Sequence, residues 1–245
     1  MAPLPPQSDP SSKFVFPQTG FHAVADKFRE ADFFLECLIG CNGFGQEGDY
    51  FLSAFSSAAR SVTFVLQTVM SKYPNFDKWY PEASRPLRES VLARYFLQLR
   101  NEALKRGTIP AYWSGASGDD GFAHFYTFGN PHGSDLGDAP IPDVRLAARS
   151  YMVELASLLG RCYRDYDVYI DPRVIFTKRG LNALGWNVGD LLESLGFPRD
   201  WLELAPPDAV DDEQKLKVLS RYGGDEVMDD LLIKYGAKEI ESQPS

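Results

Sequence analysis

The sequence predicts a mainly helical protein built around an up-and-down bundle of helices. Three observations lead to this prediction. Apolar residues recur at alternating spacings of four and three in several stretches, which is the period of one face of an α-helix. The joints between the first three stretches are short, so successive helices are expected to pack antiparallel. The length of 245 residues and the 44% hydrophobic fraction are sufficient for a core that needs no disulfides.

Changes in composition divide the chain into three parts. Residues 1–20 are rich in proline and are expected to form a flexible lead. Residues 21–166 hold the helical stretches, interrupted at 108–142 by a glycine-rich segment that is too long for a simple connection. We expect this insertion to carry a loop or a hairpin. Residues 167–245 are expected to form a small appendage, either α/β or wholly α.

The first two helices are predicted from their apolar stripes. The first extends from about Phe21 to Gly40. The second begins near Asp49 and continues to Tyr73, because Pro74 cannot continue a helix. The first stripe consists of Val24, Phe28, Ala31, Leu35 and Leu38, and the second of Phe51, Phe55, Ala58, Val62, Val65 and Val69.

An aromatic connector at 75–80 is expected to fill the end of the bundle, with a stacking platform for bases as the alternative. The third helix is predicted to be unbroken from Arg85 to Gly107. Pro86 lies in its first turn, where a missing N–H has no partner to lose. Its stripe consists of Leu87, Val91, Tyr95 and Leu99.

The fourth helix is predicted over 143–166, with Asp143 as its N-cap. Beyond it, the runs 168–170 and 174–176 contain β-branched and aromatic residues and favour short strands. Two short acidic helices are predicted further on, at 211–222 and 225–235.

Charge and cysteine content exclude several classes of protein. A formal net charge of −9 argues against a protein that coats DNA or RNA with its whole surface, but it is compatible with a small basic cleft. Three cysteines fit no secreted disulfide framework and no metal-ligand spacing. No apolar run approaches the ~18–20 residues of a membrane span. We therefore expect a cytoplasmic protein with no metal, no cofactor and no membrane contact.

The end of the third predicted helix carries the residues that point to chemistry: Arg100, Asn101, Lys105 and Arg106. Arginine offers a planar fork of donors that suits phosphate. A structural alternative exists, because cations are also favourable near a helix C-terminus and an arginine in a bundle often pairs with a carboxylate. Three carboxylates are candidates for such a pair: Glu36, Glu47 and Glu154.

The helical region from Phe21 to Tyr166, with Arg-Asn near the end of its third helix, resembles the HEPN superfamily. In catalytically active members, an arginine and a polar residue, often asparagine, are followed a few residues later by a histidine. Two such motifs meet across a homodimer and cleave RNA without a metal. Arg100 and Asn101 match this motif, but Lys105 stands where the histidine is expected.

The resemblance implies a homodimer with an anion-binding or RNA-binding cleft, acting as a metal-independent endoribonuclease of the toxin or defence type. Arg100, Asn101 and Lys105 would be catalytic, and Arg100 and Arg106 would hold phosphate. If Lys105 does not move the proton, a histidine of the following segment is required as acid or base. Two are available there, His124 and His132. The alternative is a non-catalytic module that binds a nucleotide or a protein partner, which the missing histidine and the acidic net charge favour.

Overall fold

The structure is a computed structural model. It describes residues 21–41, 46–107, 109–118, 121–129, 136, 138–198, 211–220 and 228–237. Within these ranges the protein is mainly helical and contains one two-stranded sheet, so the predicted helical class is confirmed. The predicted flexible lead and His132 lie outside the described residues. Within the same ranges, no helix combines the length and the apolarity that crossing a bilayer requires.

The helices and strands follow one another along the chain. Before the hairpin come α1 (His22–Gly40), α2 (Glu47–Met70), α3 (Phe76–Ala83), α4 (Arg85–Glu89) and α5 (Val91–Arg106). The hairpin consists of β1 (Ala111–Gly118) and β2 (Gly121–Phe128). After it come α6 (Val144–Ile170), α7 (Pro172–Ile175), α8 (Lys178–Leu184), α9 (Val188–Ser194), α10 (Asp212–Leu219) and α11 (Asp229–Lys234).

The described chain forms two compact units, and the division falls within α6. The main unit contains the described residues of 23–162 and 228–237. The second unit contains Phe21, His22 and the described residues of 163–220. The segment at 108–142, which was expected to carry a loop or hairpin, contributes the hairpin to the main unit.

Aromatic side chains at the centre of the main unit join α2, α5, α6 and β2. Phe96 stacks on Tyr151 with ring centroids 4.9 Å apart and an interplanar angle of 9°. Phe55 and Phe128 meet the Phe96 ring edge-on, with centroids at 5.6 and 6.2 Å. Each such pair contributes about 0.5–1.5 kcal/mol beyond the burial of its area. This cluster fixes the axial position of α5, and with it the position of the α5 tail.

The predicted core stripe agrees with the structure along α1 and only in part along α2. All five predicted α1 residues are buried. On α2, Phe51, Val65 and Val69 are only partly buried. The neighbouring positions Leu52, Leu66 and Met70 take the fully buried face instead. Two apolar stripes lie side by side on α2, so the packing of its neighbours decides which one is buried.

The prediction of one unbroken helix from Arg85 to Gly107 is wrong. Ser90 adopts an extended conformation, with φ −61° and ψ 126°, and separates α4 from α5. Its hydroxyl accepts a hydrogen bond from the Ala93 N–H at 3.1 Å, so it acts as the N-cap of α5. Val91, expected in the core, is therefore 59% exposed. The stretch predicted as a connector at 75–80 is helical, because Asn75 is the N-cap of α3 and the residues from Phe76 onwards lie in that helix.

The two strands predicted at 168–170 and 174–176 are wrong as well. α6 continues to Ile170 through a non-helical φ/ψ pair at Tyr166, and residues 172–175 form α7. Asp171 caps α7 by accepting from the Arg173 N–H at 2.9 Å, and Pro172 occupies the first turn. Local capping and burial thus override the β-propensity of these residues.

Candidate functional site

The tail of α5 is held in place from both ends of the helix. Ser90 caps its beginning, and Tyr95, Phe96 and Leu99 are buried in the core of the main unit. At the other end, Gly107 has a φ of +69° and donates its N–H to the Ala103 carbonyl at 2.9 Å. A left-handed glycine is a common helix stop, as the sequence predicts. The side chains before Gly107 therefore project from a rigid element.

Arg100 lies at the edge of the buried face of α5 and is itself half-buried. Its Nε is shielded from solvent and has no hydrogen-bond partner. Among the described residues the guanidinium forms no hydrogen bond and no ion pair. A shielded N–H donor without an acceptor is unfavourable. An anion bound beside Nε would supply that acceptor.

The three carboxylates considered as partners of Arg100 do not pair with it. Glu36 accepts from the Lys234 ammonium at 2.7 Å. Glu154 accepts from the Ser90 hydroxyl at 2.8 Å. Glu47 is exposed in the first turn of α2. Within the described part of the chain, Arg100 is thus left without the ion pair that was its structural alternative.

The other residues of the predicted motif are placed differently. Asn101, Lys105 and Arg106 are exposed, and the Arg106 Nε lies 2.6 Å from a carboxylate oxygen of Glu102. A helix turns by about 100° per residue, so Lys105 lies about 140° around α5 from Arg100 and about 40° from Asn101. One copy of the chain therefore presents Asn101 and Lys105 on one side of α5 and Arg100 on another.

The segment from Arg85 to Arg106 is basic, although the whole chain is acidic. It contains six basic and two acidic residues, which gives a formal charge of +4 against −9 for the chain. Arg94 is exposed and has no ion-pair partner within the described part of the chain. The positive charge of the protein is therefore locally concentrated along α4 and α5.

The hairpin that follows α5 has an inner and an outer aromatic face. On the inner face, Trp113 stacks on Tyr126 with centroids 4.5 Å apart, and the Arg145 guanidinium lies 5.0 Å from the Trp113 ring. On the outer face, Tyr112 and Phe125 are 55% and 45% exposed. Tyr112 is paired with Thr127 and Phe125 with Ser114, so the two rings occupy adjacent pairs on one face. Sequence reasoning missed this face, although alternation along the strands is the signal for it.

The structure describes one of the two candidate histidines. His124 lies on β2, paired with Gly115, and is exposed. His132 is outside the described residues.

Within the described ranges, no group of three or more His, Cys, Asp or Glu side chains is arranged to hold a metal ion. The three cysteines are free thiols.

Sequence reasoning considered Glu154 only as a partner of Arg100 and missed its own environment. One of its carboxylate oxygens accepts from Ser90, while the other is shielded and has no partner among the described residues. Burial raises the pKa of Glu154, and the hydrogen bond from Ser90 opposes the effect only in part. The neighbouring Tyr151 is buried, and burial raises its pKa to about 12. The charged form of Glu154 is thus partly buried at a cost in stability.

Comparison with known proteins gives one finding on the family. A family model described as bacteriophage lambda protein ea47 matches residues 46–115, which is less than half of the chain. The match begins beside α2, includes the whole of α5 and ends within β1. No curated protein and no solved structure matches the chain.

The predicted membership of the HEPN superfamily is therefore wrong. The family model that matches is a different one, and it covers the α5 tail from which the resemblance was drawn. The physical reason is that the motif consisted only of Arg100 and Asn101 at the end of an apolar helix, without the histidine. Two adjacent residues at a helix end recur in unrelated helical proteins and do not identify a family.

Proposed function

We propose that this chain binds single-stranded RNA, with Arg100 on the tail of α5 as its principal phosphate contact. The observation that carries the proposal is the shielded Nε of the half-buried Arg100, which has no hydrogen-bond partner within the described residues. A phosphate oxygen would supply the missing acceptor. Because a charge-assisted hydrogen bond is strong, binding would relieve a cost that the free protein bears.

The distribution of charge supports the same proposal. A local charge of +4 along residues 85–106 attracts a polyanion to this segment, while the net charge of −9 repels it elsewhere. Affinity is then expected to fall as salt rises, because each neutralised phosphate releases counterions. Binding would be confined to one small region of the surface.

The outer face of the hairpin supports an unpaired strand as the ligand. Bases of single-stranded RNA stack on exposed aromatic rings, and this contact tolerates any sequence. Tyr112 and Phe125 provide two such rings, and β1 begins only a few residues after the α5 tail ends at Arg106. Stacking on the hairpin would therefore accompany phosphate binding at α5.

The homodimer predicted from the sequence is the second part of the proposal. Arg100 and Lys105 lie about 140° apart around α5, so one copy does not offer both to a single phosphate. A second copy would add its own Arg100 and raise the affinity for a strand that spans both copies. Metal-independent cleavage, the enzymatic prediction, requires such an arrangement and is tested in the same assay.

The experiment measures fluorescence anisotropy of a labelled single-stranded RNA of about 12 nucleotides, a length within the usual site sizes. Arg100→Ala is expected to weaken binding by about tenfold or more, since a hydrogen bond to a charged group is lost. Arg85→Ala is the matched control. It removes the same charge from the same segment, but Arg85 already pairs with Glu82, so a change below about threefold is expected.

Equal affinities for the wild type and both variants would contradict the assignment of Arg100. Cleavage is followed on the same RNA in EDTA, where residual cleavage that is identical in wild type and Arg100→Ala would exclude Arg100 as a catalytic residue.

The stacking contact is tested by the double variant Tyr112→Ala with Phe125→Ala, for which a loss of RNA affinity of about tenfold is expected. Tyr50→Ala, which removes a tyrosine that is 63% exposed on α2, is its control.

A further inference from the structure

The second unit contains a pocket whose lining is rich in cations. It has a volume of about 600 Å³ and lies where the α7–α8 turn meets the end of α10. Four basic side chains line it, Arg173, Lys178, Arg179 and Lys217, and Glu213 is the acidic residue among the lining. Phe176 and Leu216 also line it, but they are buried, with exposed fractions of 5% and 2%. Such a concentration of positive charge is unexpected in a chain with a net charge of −9.

We propose that this pocket binds a small phosphate-bearing molecule such as a mononucleotide, with the cations holding its phosphate. The volume lies within the range of about 300–1,000 Å³ that is usual for small-molecule sites. Phosphate oxygens suit arginine and lysine donors. The pocket is formed by residues of the second unit alone, so its proposed ligand does not depend on the proposed RNA site.

Three of the four cations are oriented by carboxylates and still accessible. Arg173 pairs with Asp171 at 2.7 Å, and Arg179 pairs with Asp167 at 2.7 Å. The side chains of these two arginines remain 49% and 68% exposed. Lys178 lies 3.7 Å from Glu213 and is 60% exposed. Because a guanidinium has five N–H donors, Arg179 keeps donors for a ligand beyond the one that contacts Asp167.

Lys217 differs from the other three cations. It is exposed, and it forms no hydrogen bond or ion pair through its side chain with any residue in the described ranges. Its position near the end of α10 is set by the burial of the neighbouring Leu216. Lys217 is therefore the cation that can turn fully towards an anion.

The turn that carries the other three cations is rigid. A Cβ on Gly180 would lie 2.1 Å from the Val174 carbonyl oxygen, so α7 and α8 pack with their backbones in direct contact. Thr177 caps α8 by accepting from the Gly180 N–H at 3.1 Å, and it donates to the Val174 carbonyl at 2.6 Å. A rigid turn of this kind reduces the entropy lost when a ligand binds.

The test is isothermal titration calorimetry of the full chain with AMP, inorganic phosphate and adenosine as separate probes. AMP is expected to bind, and Lys217→Ala is expected to weaken it by about tenfold, as for the loss of one charge-assisted contact. Lys215→Ala is the matched control on the same helix. Lys215 pairs with Asp212 at 3.1 Å and does not line the pocket, so its variant should bind AMP within about twofold of wild type.

Each of the other outcomes would overturn the proposal. Absence of AMP binding, or AMP binding that neither Lys217→Ala nor Arg179→Ala weakens, would remove the pocket as the site. Adenosine binding as tight as AMP binding, or AMP binding that saturating inorganic phosphate does not reduce, would show that the cations do not hold the phosphate. Arg100→Ala should weaken RNA binding and leave AMP binding unchanged. Lys217→Ala should weaken AMP binding and leave RNA binding unchanged. Either proposal can therefore be contradicted without the other.

Discussion

Two charged regions of the main unit differ in how their charges are compensated. At the junction of α1 and α11, Lys234 donates to Asp32 and Glu36, both at 2.7 Å, and the Tyr235 hydroxyl also donates to Asp32. At the tail of α5, the half-buried Arg100 has no such partner within the described residues. One region satisfies its charges internally, whereas the other leaves a charge unsatisfied.

This difference separates groups that hold the fold from groups that await a ligand. A satisfied polar network stabilises the structure that contains it, whereas a shielded charge without a partner destabilises it. Variants at the α1–α11 junction should therefore reduce stability and leave RNA binding unchanged. Substitution of Arg100 should weaken RNA binding and should not reduce stability.

Tyr235→Ala should have the largest effect on stability. Tyr235 is 3% exposed, and its ring meets Phe28 edge-on at 5.8 Å. Removing a buried aromatic side chain costs about 3–5 kcal/mol. Urea unfolding followed by circular dichroism measures the loss, and Tyr235→Phe, which keeps the ring, should lose only about 1–2 kcal/mol. Lower RNA affinity in a folded Tyr235→Phe would show that the junction also serves binding.

Lys234→Met should have a smaller effect, about 0.5–1 kcal/mol, because the ammonium is partly exposed. Burial alone would lower the pKa of Lys234, but its hydrogen bonds to Asp32 and Glu36 raise it. A pKa that is higher in the folded state gives stabilisation that is complete below the unfolded value of about 10.5 and is lost as pH rises beyond it. Urea unfolding should therefore separate wild type from Lys234→Met at pH 8 and bring them together at strongly alkaline pH. A constant difference across this range would mean that the stem of Lys234, and not its charge, stabilises the junction.

The elements that could be predicted from the sequence are those whose signal is local and repeated. The stripe of α1 recurs over about four turns, and each residue in it is buried. Asp143 and Gly107 carry capping signals that the structure bears out: the Asp143 carboxylate accepts from the Leu146 N–H at 2.7 Å, and Gly107 ends α5. The break at Ser90 was missed because one serine can either continue a helix or cap the next one. Tertiary packing makes that choice, and periodicity alone does not show it.

Whether Arg100 has an ion-pair partner could not be predicted from the sequence, for a different reason. The sequence identifies Arg100 as a cation at a helix end, but its partners depend on where every carboxylate of the fold lies. Glu36 is taken by Lys234, and Glu154 accepts from Ser90. The cationic pocket of the second unit was missed because α7, α8 and α10 bring distant residues together. Charge compensation is a long-range property, so one sequence shows candidates for pairing and not the pairs.

Glu154→Gln gives the smallest expected effect and tests the reverse case, an uncompensated charge of the opposite sign. Burial raises the pKa of Glu154, so the folded state holds the proton more tightly than the unfolded state. Stability then falls as pH rises from the unfolded pKa, near 4.3, through the folded one, and stays lower at neutral pH. Glutamine resembles the protonated acid and still accepts from Ser90. The variant should therefore be more stable than wild type at pH 7.5, by up to about 1 kcal/mol, and equal to it near pH 4.

Urea unfolding at the two pH values measures this effect, with Glu89→Gln as the control because Glu89 is exposed at the end of α4. The control should show no difference at either pH beyond about 0.5 kcal/mol. If Glu154→Gln is instead less stable at pH 7.5, the second carboxylate oxygen has a cationic partner beyond the described residues, and Glu154 belongs with the compensated charges. If Glu154→Gln is more stable, Glu154 is an uncompensated charge like Arg100. The two residues then differ in what relieves the cost of that charge: a bound phosphate for Arg100 and protonation for Glu154.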